Sequence, residues 1–303
     1  MDSNQTFTMS PRDTFTERYK ISKVLGRGTY GTVYTGNRIC DSLPVVIKTI
    51  RKYRIDPAAR ELPLEVSFLH RLSHIKGVIR LIDACISHKQ LIIVMEHIES
   101  SMDLHKLMQR KMLAPELTRS LFRQLVETVI ECHAAGIIHR DIKTENILFD
   151  PSTETIKLID FGCASYAKEF YPTMKGTPLY HPPEVFRTRI YHSEAATVWS
   201  LGLVLFTMAN GVFPDYHIRK LTKEEVETVT FREKVPEQCQ DLIQLLLKYD
   251  WKERLSLKNV LDHPYLAGCS NGIVPCPIVS YLPEPVCPGF TSEGQSTPSA
   301  SIV

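Results

Sequence analysis

Nothing in this chain has the spacing of a structural metal site. Its eight cysteines are scattered, with no C-x-x-C pair among them. No charged-then-apolar leader with a small-residue cleavage site opens the sequence, which argues against secretion and so against a disulfide framework. The longest apolar stretch, around residues 91–95, is far too short to cross a bilayer. Charge of one sign is scarce as well: a formal net charge of +2 gives no surplus for nucleic acid or for a polybasic membrane module. No internal repeat is present. These absences lead to the expectation of a reduced, monomeric, cytoplasmic protein that could also enter the nucleus, with neither nucleic acid nor membrane among its partners.

With 43% hydrophobic and 23% charged residues, the composition is that of an ordinary globular chain. Residues 1–16 are polar, rich in Ser and Thr and without apolar periodicity, so they are expected to be disordered. Residues 267–303 are rich in Pro, Ser and Gly and carry no Lys or Arg; they read as a flexible tail in which Ile278, Tyr281 and Leu282 could dock locally.

Between these ends the pattern changes once. Short β-branched runs at 20–26, 32–38, 44–50, 78–86 and 90–96 read as strands. One segment at 62–72 interrupts them, with Leu62, Val66, Leu69 and Leu72 at helical spacing. After Asp103 the pattern turns mostly helical. Pro115 suits a first helical position, Leu121, Phe122, Leu125, Val126, Val129 and Ile130 share a face, and Gly136 marks a stop. Residues 197–208 are too apolar all round for a surface helix and are expected to run through a core. The expected class is α+β: an antiparallel sheet lobe with one main helix (17–96), a connector (96–102) and a larger, mostly helical lobe (103–266).

Several motifs carry chemistry. Gly26-Arg27-Gly28-Thr29-Tyr30-Gly31-Thr32-Val33 is a G-x-G-x-x-G-x-V loop whose glycines Gly26, Gly28 and Gly31 let backbone amides approach phosphate oxygens. It continues as a strand rather than opening a helix, which is against a dinucleotide fingerprint and for a phosphate lid. Val45-Val46-Ile47-Lys48 ends an apolar strand on a lysine suited to α- and β-phosphates, and Glu65 is the carboxylate able to steady its long stem. A lysine guarding a sheet edge is the blander reading.

His139-Arg140-Asp141-Ile142-Lys143-Thr144-Glu145-Asn146 is more specific, because a chance polar loop would rarely carry all these types in this order. In it Asp141 would accept a hydroxyl proton, Lys143 would neutralise the γ-phosphoryl and Asn146 would ligate magnesium. Asp160-Phe161-Gly162 lies fourteen residues beyond Asn146, across an expected hairpin turning at Asp150-Pro151, so Asp160 and Asn146 would aim at the same ions. Gly176-Thr177-Pro178 to Pro182-Pro183-Glu184 closes the segment, with Thr177 as a partner for Asp141 and Lys143, and Arg254 as the expected buried cation for Glu184.

With these residues assembled, the chain resembles the eukaryotic protein kinase superfamily over residues 19–266, and Lys143 gives it the serine/threonine pattern. Within the superfamily it looks most like the Pim kinases, through Leu43-Pro44-Val45-Val46-Ile47-Lys48, Gly77-Val78-Ile79-Arg80-Leu81 and Ala195-Ala196-Thr197-Val198-Trp199. Most kinases have an aspartate where Thr197 stands. The resemblance implies ATP and Mg²⁺ as cofactors and Ser/Thr-containing proteins as substrates. It also implies a nucleotide pocket formed by Leu25, Val33, Val46, Met95, Glu96, Ile98, Leu148 and Ile159 beside the glycine loop and Lys48. Ile98 stands where Pim kinases carry a hinge proline and keeps an N–H for adenine, and Val46 replaces the usual alanine over the base. Asp103 and Glu145 match acidic positions that would read basic residues upstream of the target, while Val212 stands at a further acidic position. Lys175 replaces an acidic residue that faces the catalytic-loop arginine, here Arg140, and Thr173 is a candidate switch. The alternative is a pseudokinase scaffold, which loss of Lys48, Asp141 or Asp160 would favour; all three are present. A kinase of small metabolites is disfavoured by the Pro-Pro-Glu segment.

Overall fold

A computed structural model describes residues 15–28, 31–51, 63–87, 90–110, 112–188, 190–215, 221–232 and 234–267. Apart from residues 15, 16 and 267, the expected disordered start and flexible tail lie outside the described residues.

Strands β1 (Tyr19–Gly28), β2 (Gly31–Arg38), β3 (Pro44–Arg51), β4 (Leu81–Ser87) and β5 (Gln90–Glu96) form an antiparallel sheet in the order β1-β2-β3-β5-β4. Alternation along β3 gives the sheet two distinct faces. Val45 and Ile47 go to the back, where they pack with Val94, Cys85, Ile92 and Tyr19. Val46, Lys48 and Ile50 face the other way, toward the main core. One residue of register slip would bury the wrong set, so this pattern fixes the face on which Lys48 lies.

Two expectations need correction. Phe15 is not part of a disordered segment: it opens a helical turn, α1 (Phe15–Arg18), is 6% exposed, and stacks on Tyr19 with ring centroids 5.3 Å apart. Arg18 in the same turn is ion-paired with Asp83. The strand expected at 78–86 begins only at Leu81, because the backbone before it pairs elsewhere: Leu158 N–H donates to Gly77 O at 2.7 Å, and Ile79 N–H to Leu158 O at 3.1 Å. Helix α2 (Leu64–Arg71) lies under the sheet and buries Glu65, Val66, Phe68 and Leu69.

Beyond β6 (Met102–Asp103) come helices α3 (Leu104–Arg110) and α4 (Pro115–Ala134); α4 has Pro115 at its first turn and ends before Gly136, whose φ of 77° reverses the chain. Strand β7 (Ile137–Ile138) follows, then the hairpin of β8 (Ile147–Asp150) and β9 (Thr155–Leu158), whose turn is tied by Asp150 to Ser152 and Thr153. Short strands β10 (Ser165–Tyr166) and β11 (Phe170–Tyr171) precede α5 (Pro183–Thr188); β10 pairs with β7, and β11 with β12 (Tyr191–His192).

Helix α6 (Ser193–Asn210) runs through the core as its all-round apolarity requires, with Val198, Trp199, Leu201, Leu203, Val204 and Leu205 all at 0% exposure. Each such side chain contributes about 1.5–3 kcal/mol relative to exposure. Short helix α7 (Lys223–Glu227), α8 (Glu237–Leu246), which packs on α6, and α9 (Pro264–Ala267) complete the described fold. No helix among the described residues is long and apolar enough to cross a membrane.

Candidate active site

Lys48 is 6% exposed and its ammonium has two carboxylate partners: Glu65 Oε1 at 2.7 Å and Asp160 Oδ1 at 2.8 Å. Burial alone would lower the lysine pKa, but the two carboxylates outweigh it and raise it, so Lys48 is charged. Burial acts on Asp160 in the opposite sense and is also outweighed, by Lys48 and the Gly162 N–H, which hold its carboxyl below the ordinary value. Burial pushes Glu65 up against the pull of Lys48. The three groups come from β3, α2 and the end of the β8–β9 hairpin.

A second cluster surrounds Asp141. Its Oδ1 accepts from Thr177 N–H at 2.8 Å; its Oδ2 accepts from Lys143 Nζ at 3.0 Å and Asn146 Nδ2 at 3.1 Å. Lys143 Nζ also reaches Thr177 Oγ1 at 2.6 Å. Buried His139 sets the loop from behind: its Nδ1 accepts from Asp141 N–H at 3.2 Å and its Nε2 donates to Ile159 O at 2.9 Å, a tautomer that requires the neutral ring to which burial drives it. The hairpin register joins the two clusters. Ile147 pairs with Leu158, and Ile159 N–H donates to Asn146 O at 2.9 Å, so Asn146 sits across from the residue just before Asp160. Gly176, at φ 89°, packs so closely that a side chain there would collide with the Arg140 carbonyl oxygen.

The remaining residues expected from sequence fall into two groups. Gly28 pairs with Gly31 and Gly26 with Val33; Val33 is also opposite Lys48, and Val46 opposite Met95. The loop tip, Thr29 and Tyr30, lies outside the described residues. Leu25 is 54% exposed on the outer strand, and Leu148 and Ile159 are half-buried. Ile98 O accepts from Ser101, whereas Ile98 N–H has no partner among the described residues. Glu96 sends its side chain to Lys157 at 3.0 Å and to Arg80 N–H at 2.8 Å, leaving only its backbone for any ligand. Asp103 and Glu145 are not brought into contact with either cluster. Asp103 caps α3 through Lys106 N–H at 2.8 Å and pairs with Lys106 Nζ at 2.9 Å, and Glu145 is exposed, bonded to Thr144.

The sequence reading missed the surroundings of Arg140. Tyr191, Ser165 and the Thr173 carbonyl accept its hydrogen bonds, and Tyr171 lies under its guanidinium. Ser165, Tyr171 and Tyr191 come from separate short strands and Thr173 from the bend after β11, and none shares a spacing with the motifs. Thr197 Oγ1 donates within its own helix, to Ser193 O at 2.9 Å.

A buried ammonium between two carboxylates, joined through the hairpin to a carboxylate held by a lysine, an asparagine and a backbone amide, defines a class of phosphoryl-transfer site. Comparison with known proteins agrees: the family described as protein kinase domain matches residues 19–266. The chain belongs to the protein kinase domain family, as one of its serine/threonine kinases. It is 36% identical over 259 residues to the serine/threonine-protein kinase prk-2 of Caenorhabditis elegans, a match covering 83% of this chain and 59% of that protein. It is 35% identical over 276 residues to the serine/threonine-protein kinase pim-2 of Danio rerio, covering 86% of this chain and 88% of that protein. Against the NUAK family SNF1-like kinase 1 of Homo sapiens it is 31% identical over 252 residues, 81% of this chain and 38% of that protein.

Proposed function

We propose that this chain transfers the γ-phosphoryl group of ATP, taken up with Mg²⁺, to serine and threonine hydroxyls of proteins, with a Pim-like preference for basic residues upstream of the target. The observation that carries the reading is Lys48 held between Glu65 and Asp160, with the Asp141 cluster joined to it through the hairpin.

In this reading Lys48 binds the α- and β-phosphates, and its two partners keep the flexible stem from wandering. Asp141 accepts the hydrogen bond of the substrate hydroxyl. Its three donors fix the carboxylate plane, so that it can orient the attacking oxygen. Lys143 neutralises charge on the phosphoryl oxygens, and Thr177 steers it there. The donor set fits magnesium, which favours a few hard oxygen ligands together with phosphate: Asp160 offers a carboxylate, and Asn146, whose Nδ2 is committed to Asp141, offers its Oδ1. Bound Mg²⁺·ATP supplies the phosphoryl group and the neutralised phosphate charge.

Val46, Leu148, Leu25, Val33, Met95 and Ile159 would hold the adenine, and Ile98 N–H, which has no partner among the described residues, would be the donor to it. Exposed Glu145 reads the upstream basic residue. Asp103, already engaged by Lys106, contributes less, and Val212 gives no charge for a more distant arginine. A positional peptide array with ATP and Mg²⁺ tests both parts: transfer to serine or threonine with arginine upstream is expected. No transfer to any peptide refutes the activity; acidic-flanked targets outcompeting basic ones refutes the preference alone.

A further inference from the structure

Arg140 precedes the orienting carboxylate Asp141 and has φ 66°, a backbone state that a non-glycine residue keeps only when its surroundings over-determine it. Its hydrogen-bond partners here are uncharged. Nη1 donates to Ser165 Oγ at 2.8 Å, Nη2 donates to the Thr173 carbonyl, and both Nε and Nη2 donate to Tyr191 Oη, at 3.1 and 2.7 Å. The face of the guanidinium lies 4.1 Å from the centroid of the Tyr171 ring. No carboxylate among the described residues pairs with it, and Lys175, the other charged residue lining the same cavity, is a cation. Thr197 offers no help, since its hydroxyl is spent inside α6.

Tyr191 is the centre of this arrangement. It is 7% exposed, held by the pairing of β12 with β11, where it stands opposite Tyr171. Its oxygen accepts from two of the arginine's donors, and its own O–H donates to the Thr173 carbonyl at 3.4 Å. The arginine thus ties together Ser165 at the start of the segment, Thr173 near its end and Tyr191 beyond it, while Gly176 rests directly on the Arg140 carbonyl and Thr177 N–H on Asp141.

We propose that Tyr191 is a positioning residue: its hydroxyl locks Arg140, and through it Asp141 and the stretch up to Thr177, in the arrangement needed for transfer without a phosphate or a carboxylate on the segment. The inference rests on the kinase reading above. It makes phosphorylation of Thr173 unnecessary, since that residue already serves through its backbone.

The test uses the full chain, dephosphorylated, with Mg²⁺·ATP and an arginine-containing peptide. The untreated and dephosphorylated proteins should turn over alike. Tyr191→Phe, which removes only the oxygen, should lower kcat by about tenfold or more, the worth of a hydrogen bond to a charged group. The KM for ATP should stay within about twofold, and the melting temperature should barely move. Adding Lys175→Glu to Tyr191→Phe should restore most of the loss, because a carboxylate in that cavity can take the donors left over; a merely structural role for the tyrosine predicts no such rescue. If Tyr191→Phe does not fold, Ser165→Ala should give a smaller loss of the same kind, confined to kcat. A kcat for Tyr191→Phe within about twofold of wild type, no rescue by Lys175→Glu, no kcat loss in Ser165→Ala where it must stand in, or activity appearing only after phosphorylation of Thr173 overturns the proposal. Wild-type protein inactive in both states refutes the kinase reading itself, and this inference with it.

Discussion

Arg254 grips Glu184 with both ends of its guanidinium, Nη1 to Oε1 and Nη2 to Oε2 at 2.7 Å each, in a pocket where the arginine side chain is 1% exposed. The same group lies 4.8 Å from the Trp199 ring centroid and donates from Nε to the Lys248 carbonyl at 2.8 Å. It therefore joins the start of α5, the middle of α6 and the loop after α8.

Removing one partner of such a pair strands the other charge in a dry site. Arg254→Ala is expected to cost about 3–5 kcal/mol of unfolding free energy in urea titrations. Arg254→Lys keeps the charge but loses the fork and should fall between alanine and wild type. An alanine variant within about 1 kcal/mol of wild type would show that the pair contributes little.

Asp160→Asn should lower phosphoryl transfer by at least about a hundredfold, because the carboxylate is the proposed magnesium ligand and a partner of Lys48. Lys48 keeps Glu65, so the fold should survive, and a thermal melt checks this beside the activity assay. Turnover close to wild type would remove Asp160 from the mechanism.

His133, on α4, has a buried Nε2 with no hydrogen-bond partner among the described residues. Burial pushes its pKa from 6.5 down to about 4, against the opposite pull of Glu194. Between these two values the unfolded chain binds a proton that the folded one refuses, so the stability it contributes is full above pH 6.5 and declines as pH falls toward 4. The decline is at most about 1.4 kcal/mol per pH unit. Buried His139 and half-buried His181 are lowered too, so the wild-type curve sums several rings, and comparison with His133→Gln isolates this one. The variant should show a shallower loss over the same range; identical slopes would exclude His133 as a contributor.

Much of the site could be read from sequence because phosphate chemistry demands particular residue types at short spacing. Strand alternation put Lys48 on the inner face, the hairpin brought Asn146 near Asp160, and the need of buried Glu184 for a cation pointed to Arg254, 70 residues away. The shell around Arg140 was not legible. Its partners Ser165, Thr173 and Tyr191 lie 25, 33 and 51 residues along the chain, the first and last on two-residue strands too short to leave a periodic pattern and Thr173 in a bend. Phe15 was missed for the same reason, since its partners Tyr19, Cys85 and Val94 are gathered only by the folded sheet. Asp103 carries a further signal that went unread: an aspartate directly before a helix is a capping residue, and it caps α3.

The ammonium of Lys48 is one knot tied from three independently built cords. Slackening any of them changes the tension on the other two. Moving α2 away from the sheet would take Glu65 with it and leave Lys48 to Asp160 alone, so a packing change at the helix is felt at the far carboxylate.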